Sequence, residues 1–369
     1  MPESYRYPRR IFIRAIIRGL GRILFPLLTR ATITGLENLP RYGPFILVGN
    51  HTASMEVVMM AVYARRQLEF LGAVDLPNTP TIEKIIDLYG IIPVYRGAVN
   101  REAMKAAIHI LDQGGMIGIF PEGGFWEPVI SHAKTGVAWL STFSKAPILP
   151  IGFGDTRGKL TDILHFKRPE LVMNIGKPLP PVQLRPDVDR KKAVQEKADA
   201  IMEGVWQLVP QEVMAKKSIV ENESFELQVQ VLDTDGSPVR IPSKLAITEG
   251  QWLSRFTHRI NLINLVRDNL HLPVQALKDL PDSPPLKDII TACQSIIDYT
   301  QGVYPYFFTY RYGPDDGISM LESFKQLRDL AQWALDHHYS LKTTPLHHFT
   351  DPATQEIVTR TRPIEHEIR

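Results

Sequence analysis

The residues best suited to acid–base chemistry in this chain are His51 and Glu56. His51 follows an apolar run, Phe45–Asn50, and Glu56 lies five positions further on. Residues at that separation do not share a helix face, because a helix turns about 100° per residue. If His51 lies in a turn between a strand and a helix, however, Glu56 lies one to two turns into that helix and can reach back. The carboxylate would then fix the imidazole tautomer and leave the other ring nitrogen to accept a proton, which is typical of a general base.

Three other segments must position groups around such a base, since a single histidine near a glutamate is common. The run Gly90–Arg96 reads as a strand that ends in Arg96, and Phe120–Gly124 places Glu122 before two glycines at the end of another strand. The run Pro147–Ile151 is a third apolar strand and carries a proline. These segments follow the His51 region in order, so their strand ends could meet at one edge of a sheet.

Together, Asn50, His51, Glu56 and the three later segments resemble the four sequence blocks of the glycerolipid acyltransferase superfamily, of the 1-acylglycerol-3-phosphate acyltransferase type. The resemblance covers roughly residues 30–215. It implies transfer of a fatty acyl group from an acyl thioester to the hydroxyl of a lysophospholipid or related lipid. The donor, acyl-CoA or acyl carrier protein, would be a co-substrate, and no cofactor is expected.

The resemblance also implies a role for each matching residue. His51 would take the proton of the acceptor hydroxyl, oriented by Glu56. Arg96 would hold the acceptor phosphate, for which the planar guanidinium fork is suited, while Glu122 and Gly123 would position the acceptor. Lys134, at the start of a predicted helix, either adds positive charge beside the site or is a solvated lysine at a helix end.

Two departures from the family pattern bear on the substrate. Glu56 stands where the family has aspartate, and Gly124-Phe125-Trp126 follows Gly123 where the family has Thr-Arg-Ser. The acceptor could be a lysophospholipid with a larger head group, another hydroxylated or aminated lipid, or lysophosphatidate held by Arg96 and Lys134. The second departure also keeps open a different class of function, that of a non-catalytic membrane-associated lipid-binding or scaffold protein that retains the fold.

Apolar strand-like runs alternate with helical stretches through the first 215 residues. The predicted strands are 45–48, 68–74, 91–95, 116–120, 148–153 and 171–175, and the predicted helices are 54–66, 81–89, 100–113, 132–144 and 187–209. Nearly continuous apolar strands between helices indicate a sheet covered on both faces. The expected fold class is α/β, a mixed sheet sandwiched by helices, with a small mainly helical C-terminal appendage. His51, Arg96 and Glu122 should converge at strand ends.

The amino-terminal segment 1–30 is predicted to be a basic amphipathic helix. Arg10, Arg14, Arg18 and Arg22 recur every four residues among aliphatic side chains. Such a helix can lie in a membrane interface with its cations on anionic head groups, although it could instead dock on the domain's own core. The arginines recur too often for a spanning helix. We expect a peripheral or monotopic protein on the cytoplasmic face of a membrane, with membrane lipids as partners.

The composition narrows the class of protein further. The net charge is +2, and the regular basic pattern lies at the amino terminus, so nucleic acid is not an expected partner. Cys293 is the single cysteine, which excludes an intramolecular disulfide framework and a thiolate cluster. The surrounding residues predict a buried helix face at Cys293.

The resemblance stops near residue 215, and the predicted domains are 1–30, 31–215, a hairpin or linker over 216–245, and a helical region of unknown role over 246–369. Alternating residues from Phe225 to Ile241 predict the hairpin. Helices are predicted over 249–269, 286–301 and 319–338, the last with a capping box from Ser319, and the tail from Leu341 is expected to be partly irregular. Two adjacent-histidine pairs in this region could suggest a metal, but neighbouring histidines point apart and no metal site is expected.

Overall fold

The computed structural model describes residues 5–74, 80–97, 100–124, 133–185, 187–214, 222–351 and 353–363. The chain divides into two compact units. The first comprises Met1–Tyr95 and Val99–Lys217, and the second comprises Ser218–Ile368 together with the short segment Arg96–Ala98.

The first unit alternates strands and helices along the chain. Its strands are β1 (Arg30–Thr34), β2 (Phe45–Gly49), β3 (Glu69–Ala73), β4 (Ile92–Val94), β5 (Met116–Ile119), β6 (Ile148–Phe153) and β7 (Glu170–Ile175). Its helices are α1 (Ile11–Leu28), α2 (Met55–Tyr63), α3 (Pro80–Tyr89), α4 (Arg101–Asp112), α5 (Gly136–Ser144), α6 (Lys159–Leu164) and α7 (Arg190–Trp206). The six predicted strands are confirmed, and β1 and α6 are additional elements.

The seven strands form one sheet in the order β1-β7-β6-β2-β5-β3-β4. Strand β2 lies in the middle and pairs in parallel with both β5 and β6. The pairing of β6 with β7 is antiparallel, which makes the sheet mixed, as predicted. The carboxyl ends of β2, β5 and β6 therefore meet at one edge, where ligands bind in open α/β sheets.

Apolar side chains cover both faces of this sheet. On one face α4, α5 and α7 bury a core that includes Ile110, Leu140 and Val205. On the other face, α1 and α2 bury a second core around Phe25, Met59 and the strand residues opposite them. The two layers confirm the predicted α/β sandwich, and they hold the strand ends of the site rigidly.

The arginines of α1 point into the protein, contrary to the expectation that they would lie on lipid head groups. Arg14 is fully buried and forms a bidentate ion pair with Glu69, and its Nε–H donates to the carbonyl of Tyr89 at 3.0 Å. Arg18 and Arg22 donate to the carbonyl of Ala64 at 2.7 and 3.1 Å. The last carbonyls of a helix have no intrahelical partner, so these guanidinium groups satisfy the ends of α2 and α3 and dock α1 on its own domain.

The opposite face of α1 is apolar, uncharged and exposed. At about 100° per residue, Phe12, Ile16, Leu20, Ile23 and Leu27 fall on the side away from Arg14. Their exposed fractions run from 53% for Leu20 to 84% for Phe12. No helix among the described residues is long and apolar enough to cross a membrane.

The second unit combines helices with a four-stranded sheet. Its strands are β8 (Ser224–Leu232), β9 (Pro238–Val239), β10 (Ser340–Thr350) and β11 (Ile357–Arg360), in the order β11-β10-β8-β9. Its helices are α8 (Gly250–His258), α9 (Ile260–Asn264), α10 (Gln275–Lys278), α11 (Leu286–Asp298), α12 (Phe307–Tyr312) and α13 (Pro314–Asp336). The predicted helical region is present, as is the predicted hairpin, formed by β8 and β9.

The tail after Leu341 is partly irregular, as predicted: residues 353–356 and 361–363 lie in no helix or strand, whereas β10 pairs antiparallel with β8 along nine residues and buries alternate side chains. One prediction for this unit was wrong. The capping box from Ser319 does not exist, because α13 begins at Pro314, a residue whose missing N–H suits the first helical turn. Cys293 is buried in α11, as predicted.

Candidate active site

His51 lies in the turn between β2 and α2. The preceding residue, Asn50, is fully buried and holds the turn against the end of β6: its Oδ1 accepts from the N–H of Phe153 at 2.7 Å, and its Nδ2 donates to the carbonyl of Phe153 at 3.1 Å. Because these two bonds continue the sheet pairing by one step, the chain leaves β2 in a fixed direction. The imidazole of His51 is therefore presented at the carboxyl edge of the sheet.

Glu56, in the first turn of α2, reaches back to His51. Its Oε2 lies 3.4 Å from His51 Nδ1, with the carboxylate fully buried and the imidazole 13% exposed. This is the geometry predicted from the sequence. It fixes Nδ1 toward Glu56 and leaves Nε2 as the ring nitrogen that can take up a proton.

Several donors hold the Glu56 carboxylate in place. Its Oε1 accepts from the backbone N–H groups of Thr52 and Ala53 at 3.0 and 3.1 Å and from the Thr156 hydroxyl at 2.6 Å. The Thr52 hydroxyl also donates to Oε1. Hydrogen bonds from several donors fix the position of a buried carboxyl group, so Glu56 is held in one orientation facing His51.

Residues just after β5 contact His51 on its other side. The ring of Phe120 stacks on the imidazole, with centroids 4.3 Å apart and an interplanar angle of 21°. The backbone N–H of His51 donates to Glu122 Oε2 at 2.6 Å. Glu122 thus lies against His51, which confirms that these two strand ends converge, and its direct contact is with the backbone of the base.

Burial determines the charge state of Glu122. Desolvation raises the pKa of this carboxyl well above its usual value, the hydrogen bond from the His51 N–H opposes the shift, and the nearby Glu56 raises the pKa further. Two buried carboxyl groups close together do not both ionise readily. Glu122 therefore retains its proton to higher pH than a solvated glutamate does.

Gly123 and Lys134 lie beside this strand end. Gly123 adopts a left-handed conformation with φ of 72°, which glycine takes up without strain. The backbone N–H of Lys134 donates to the carbonyl of Pro121 at 2.7 Å, and burial lowers the pKa of the Lys134 amine. Gly123 follows Glu122 directly in the chain, and Lys134 is hydrogen-bonded to Pro121, the residue before Glu122. The contact of Gly123 and Lys134 with the acceptor stays a prediction.

Arg96 is grouped with the second unit, and His51 and Glu122 with the first. Its predicted part in holding a phosphate therefore stays a prediction. Phe125 and Trp126, which stand in place of family residues, lie outside the described residues. Of the site residues predicted from the sequence, the first unit brings His51 into contact with Glu56 and with Glu122.

The sequence reasoning missed Thr52 and Thr156 as positioning residues. Thr156 is almost fully buried, and its backbone N–H donates to the Thr52 hydroxyl at 3.1 Å. Thr156 follows β6, which is the central strand's neighbour, so the alignment of β2 and β6 brings it to Glu56. A threonine three residues beyond the strand carrying Pro150 was the available signal, but its partner is about 100 residues away in sequence.

A sequence profile of the Acyltransferase family matches residues 30–154. This stretch contains β1 to β6 and, except for Thr156, all the residues described above that contact His51 or Glu56. Residues 30–154 are therefore similar to acyltransferase domains, which supports an enzyme of the acyltransferase class. The recognition made from the four sequence blocks is confirmed.

Individual relatives match parts of the chain. A 1-acyl-sn-glycerol-3-phosphate acyltransferase of Bacillus subtilis is 26% identical over 145 residues, which is 39% of this chain and 70% of that protein. One of Borreliella burgdorferi with the same name is 31% identical over 93 residues, 25% of this chain and 37% of that protein. An uncharacterized protein of Mycobacterium tuberculosis is 28% identical over 177 residues, 42% of this chain and 47% of that protein.

Among solved structures, the 1-acyl-sn-glycerophosphate acyltransferase PlsC of Thermotoga maritima is similar to this chain. It has 21% sequence identity and a TM-score of 0.39, with 54% of this chain and 80% of that chain covered.

Proposed function

We propose that this protein transfers a fatty acyl group from an acyl thioester, acyl-CoA or acyl carrier protein, to the hydroxyl of a lysophospholipid or related lipid. His51 acts as general base and Glu56 orients it. The observation that carries the proposal is the buried Glu56 carboxylate, held by four donors and placed 3.4 Å from Nδ1 of a partly exposed imidazole. The names of the Bacillus and Borreliella relatives support the choice of acceptor class.

The reaction follows from this geometry. His51 Nε2 takes the proton of the acceptor hydroxyl as its oxygen attacks the thioester carbonyl carbon. The resulting imidazolium is stabilised by Glu56 through Nδ1. When the tetrahedral intermediate collapses, the carbon–sulfur bond breaks and the leaving thiolate takes the proton from His51. The products are an ester and a free thiol, and the enzyme returns to its starting state.

Arg96 and Lys134 would hold the negatively charged head group of the acceptor, and Glu122 and Gly123 would position the acceptor. Guanidinium and ammonium groups are the side chains suited to phosphate. A lysophosphatidate, a lysophospholipid with a larger head group and another hydroxylated or aminated lipid remain the candidate acceptors. Thiol release measured with a panel of lysolipids and each donor would discriminate between these acceptors.

The test of the base is thiol release from acyl-CoA with lysolipid by wild type and His51→Ala. Removing a general base costs about 10²–10⁴-fold in rate, so we expect a loss in that range. His109→Ala is the matched control, because His109 is an exposed histidine of α4 in the same unit. A His51→Ala enzyme with full activity would refute the mechanism. Wild type inactive with every acceptor and both donors would favour the non-catalytic lipid-binding protein instead.

We further propose that the protein works at the cytoplasmic face of a membrane as a peripheral or monotopic protein. The support is the exposed uncharged face of α1, since soluble proteins rarely expose a continuous apolar stripe of this size. Leu20→Asp places a charge on that face, 53% exposed in the folded protein, and should reduce binding to phospholipid vesicles without altering the fold. Unchanged vesicle binding by Leu20→Asp would overturn this part of the proposal.

A further inference from the structure

A second group of large apolar side chains is exposed around α6. Leu160 and Leu164, four residues apart on one face of the helix, are 48% and 70% exposed, and Phe166 just after it is 77% exposed. Ile163, on the other side of α6, packs into the core that contains Phe25 of α1. The helix is thus anchored by one apolar side chain and presents three others to solvent.

This segment is tied to the carboxyl end of α1. The guanidinium of Arg168 donates to the carbonyl of Pro26 at 3.2 Å, and the guanidinium of Arg30 donates to the carbonyl of Arg168 at 3.2 Å. The exposed face of α1 ends at Leu27, the residue after Pro26. The apolar side chains of α6 therefore continue the apolar face of α1 on the same side of the sheet.

The backbone after α6 is built to hold Phe166 outward. Phe166 and Arg168 have φ values of 55° and 49°, in the left-handed region that side chains other than glycine rarely adopt. The N–H of Phe166 donates to the carbonyl of Ile163 at 3.0 Å, and the N–H of Lys167 donates to the carbonyl of Asp162 at 3.0 Å. Strain of this kind persists where surrounding structure imposes it, commonly at functional sites.

Basic side chains surround the exposed apolar group. Lys159, Lys167, Arg168 and Arg30 lie on or beside the segment. The acids beside them are Asp162, paired with Lys167 at 3.2 Å, and Glu170, which lies opposite Arg30 in the pairing of β1 with β7, so the cations remain in excess. An apolar tip with an excess of cations matches the boundary of an anionic bilayer, where each basic residue adds attraction to the head groups. An apolar protein partner would not require this basic border.

We infer that Lys159–Arg168 is a second lipid-contacting element, which inserts Leu160, Leu164 and Phe166 into the interface of a bilayer that contains anionic phospholipid. The inference rests on the proposed membrane position of the protein and adds to it a second contact next to the carboxyl end of α1. With two contacts, the domain is held in one orientation on the bilayer. The carboxyl edge of the sheet, where His51 lies, then keeps a constant direction toward its lipid acceptor.

The single cysteine makes a direct test possible. Cys293 is buried, and burial raises the pKa of its thiol, so a cysteine introduced at the surface can be labelled selectively with an environment-sensitive fluorophore. The labelled variants are Phe166→Cys, Leu20→Cys on α1, and Phe143→Cys as matched control. Phe143 is an exposed phenylalanine of α5, whose helix layer covers the opposite face of the sheet.

With vesicles of phosphatidylcholine and phosphatidylglycerol, we expect a blue shift of the probe at positions 166 and 20 and none at position 143. With phosphatidylcholine alone the shift at position 166 should be smaller. In the otherwise unmodified chain, Phe166→Ser should weaken binding to the anionic vesicles by about tenfold, since burial of an exposed phenylalanine is worth about one tenfold step or more. Phe143→Ser should bind as wild type does.

A probe at position 166 that stays in water while the probe at position 20 is buried would overturn the inference, as would equal shifts at 166 and 143. A shift at position 166 equal in vesicles with and without anionic lipid would overturn the charge argument. Acyl transfer to detergent-dispersed lysolipid, measured on the same preparations, separates the two proposals. If transfer is present and position 166 is silent, only the second contact fails; if transfer is absent, the proposed function fails whatever the probes report.

Discussion

Replacing Thr156 with valine tests whether the rigid hold on Glu56 contributes to catalysis. Valine has nearly the shape of threonine but lacks the hydroxyl that donates to Glu56 Oε1 at 2.6 Å. The backbone N–H of residue 156 can still donate to Thr52. The change therefore removes one donor from the carboxylate and leaves the local backbone in place.

The expected loss follows from the number of donors that remain. A hydrogen bond to a charged group contributes about 1.5–3 kcal/mol. The Thr52 hydroxyl and the N–H groups of Thr52 and Ala53 still bind Glu56, so the loss should lie near the lower end. About 1.4 kcal/mol corresponds to tenfold in rate, and we expect kcat to fall by about tenfold with KM little changed.

The assay is steady-state thiol release, with unfolding in urea measured in parallel. Thr142→Val is the matched control, because the Thr142 hydroxyl donates to the carbonyl of Ala138 in its own helix at 2.8 Å and touches no part of the site. A Thr156→Val enzyme within twofold of wild type in kcat, or a Thr142→Val enzyme that loses as much, would refute the reasoning.

Three further predictions follow from the buried polar groups. Glu122→Gln keeps an oxygen that can accept a hydrogen bond from the His51 N–H, whereas Glu122→Leu leaves that N–H unpaired at a cost of about 1–3 kcal/mol. The leucine variant should therefore lose about tenfold or more in kcat, and the glutamine variant much less. Equal losses in the two variants would show that this hydrogen bond does not contribute to catalysis. Burial raises the pKa of Glu122, so the contribution of this residue to stability is fully present below pH 4.5 and is lost as pH rises through the folded-state pKa. Above pH 4.5 the unfolding free energy of Glu122→Gln should therefore decrease less with pH than that of wild type. Arg14→Leu leaves Glu69 with a buried charge that Arg9 only partly compensates. It should lower the unfolding free energy, measured by urea titration, by about 3–5 kcal/mol, while Arg101→Leu, at an exposed position, should change it little. Similar effects of the two substitutions would contradict the importance of the buried ion pair.

The pairing of His51 with Glu56 could be predicted because both residues belong to one strand–turn–helix segment. The short turn between β2 and α2 and the helix period set their distance, and neither depends on distant parts of the chain. The contacts of Thr156 and Glu122 with this pair come from strands β6 and β5, which lie on either side of β2. Sequence indicates that such strands exist, but only the sheet register shows which strand ends meet.

The α1 helix shows the same limit in a different form. The sequence shows that arginine recurs every four residues, but it does not show whether the arginine face points toward the protein or away from it. Unpaired carbonyls at the ends of α2 and α3 attract the guanidinium groups, and this leaves the apolar side chains outside. The β10 strand was missed for a similar reason, because Pro345 and the two histidines give no strand pattern until β8 supplies its partner.

The sequence by itself therefore determined the acyltransferase class, through the order of its four blocks, and the closeness of His51 to Glu56 and the alternation of strands and helices, which depend on residues close together in the chain. Only the tertiary structure decided that Thr156 holds Glu56, that Glu122 is buried against the backbone of His51, and that the arginines of α1 face inward. These depend on which carbonyl and carboxyl groups are left without partners once the chain has folded. That outcome is a property of the packed molecule, because an unpaired buried group is costly wherever it lies in the sequence.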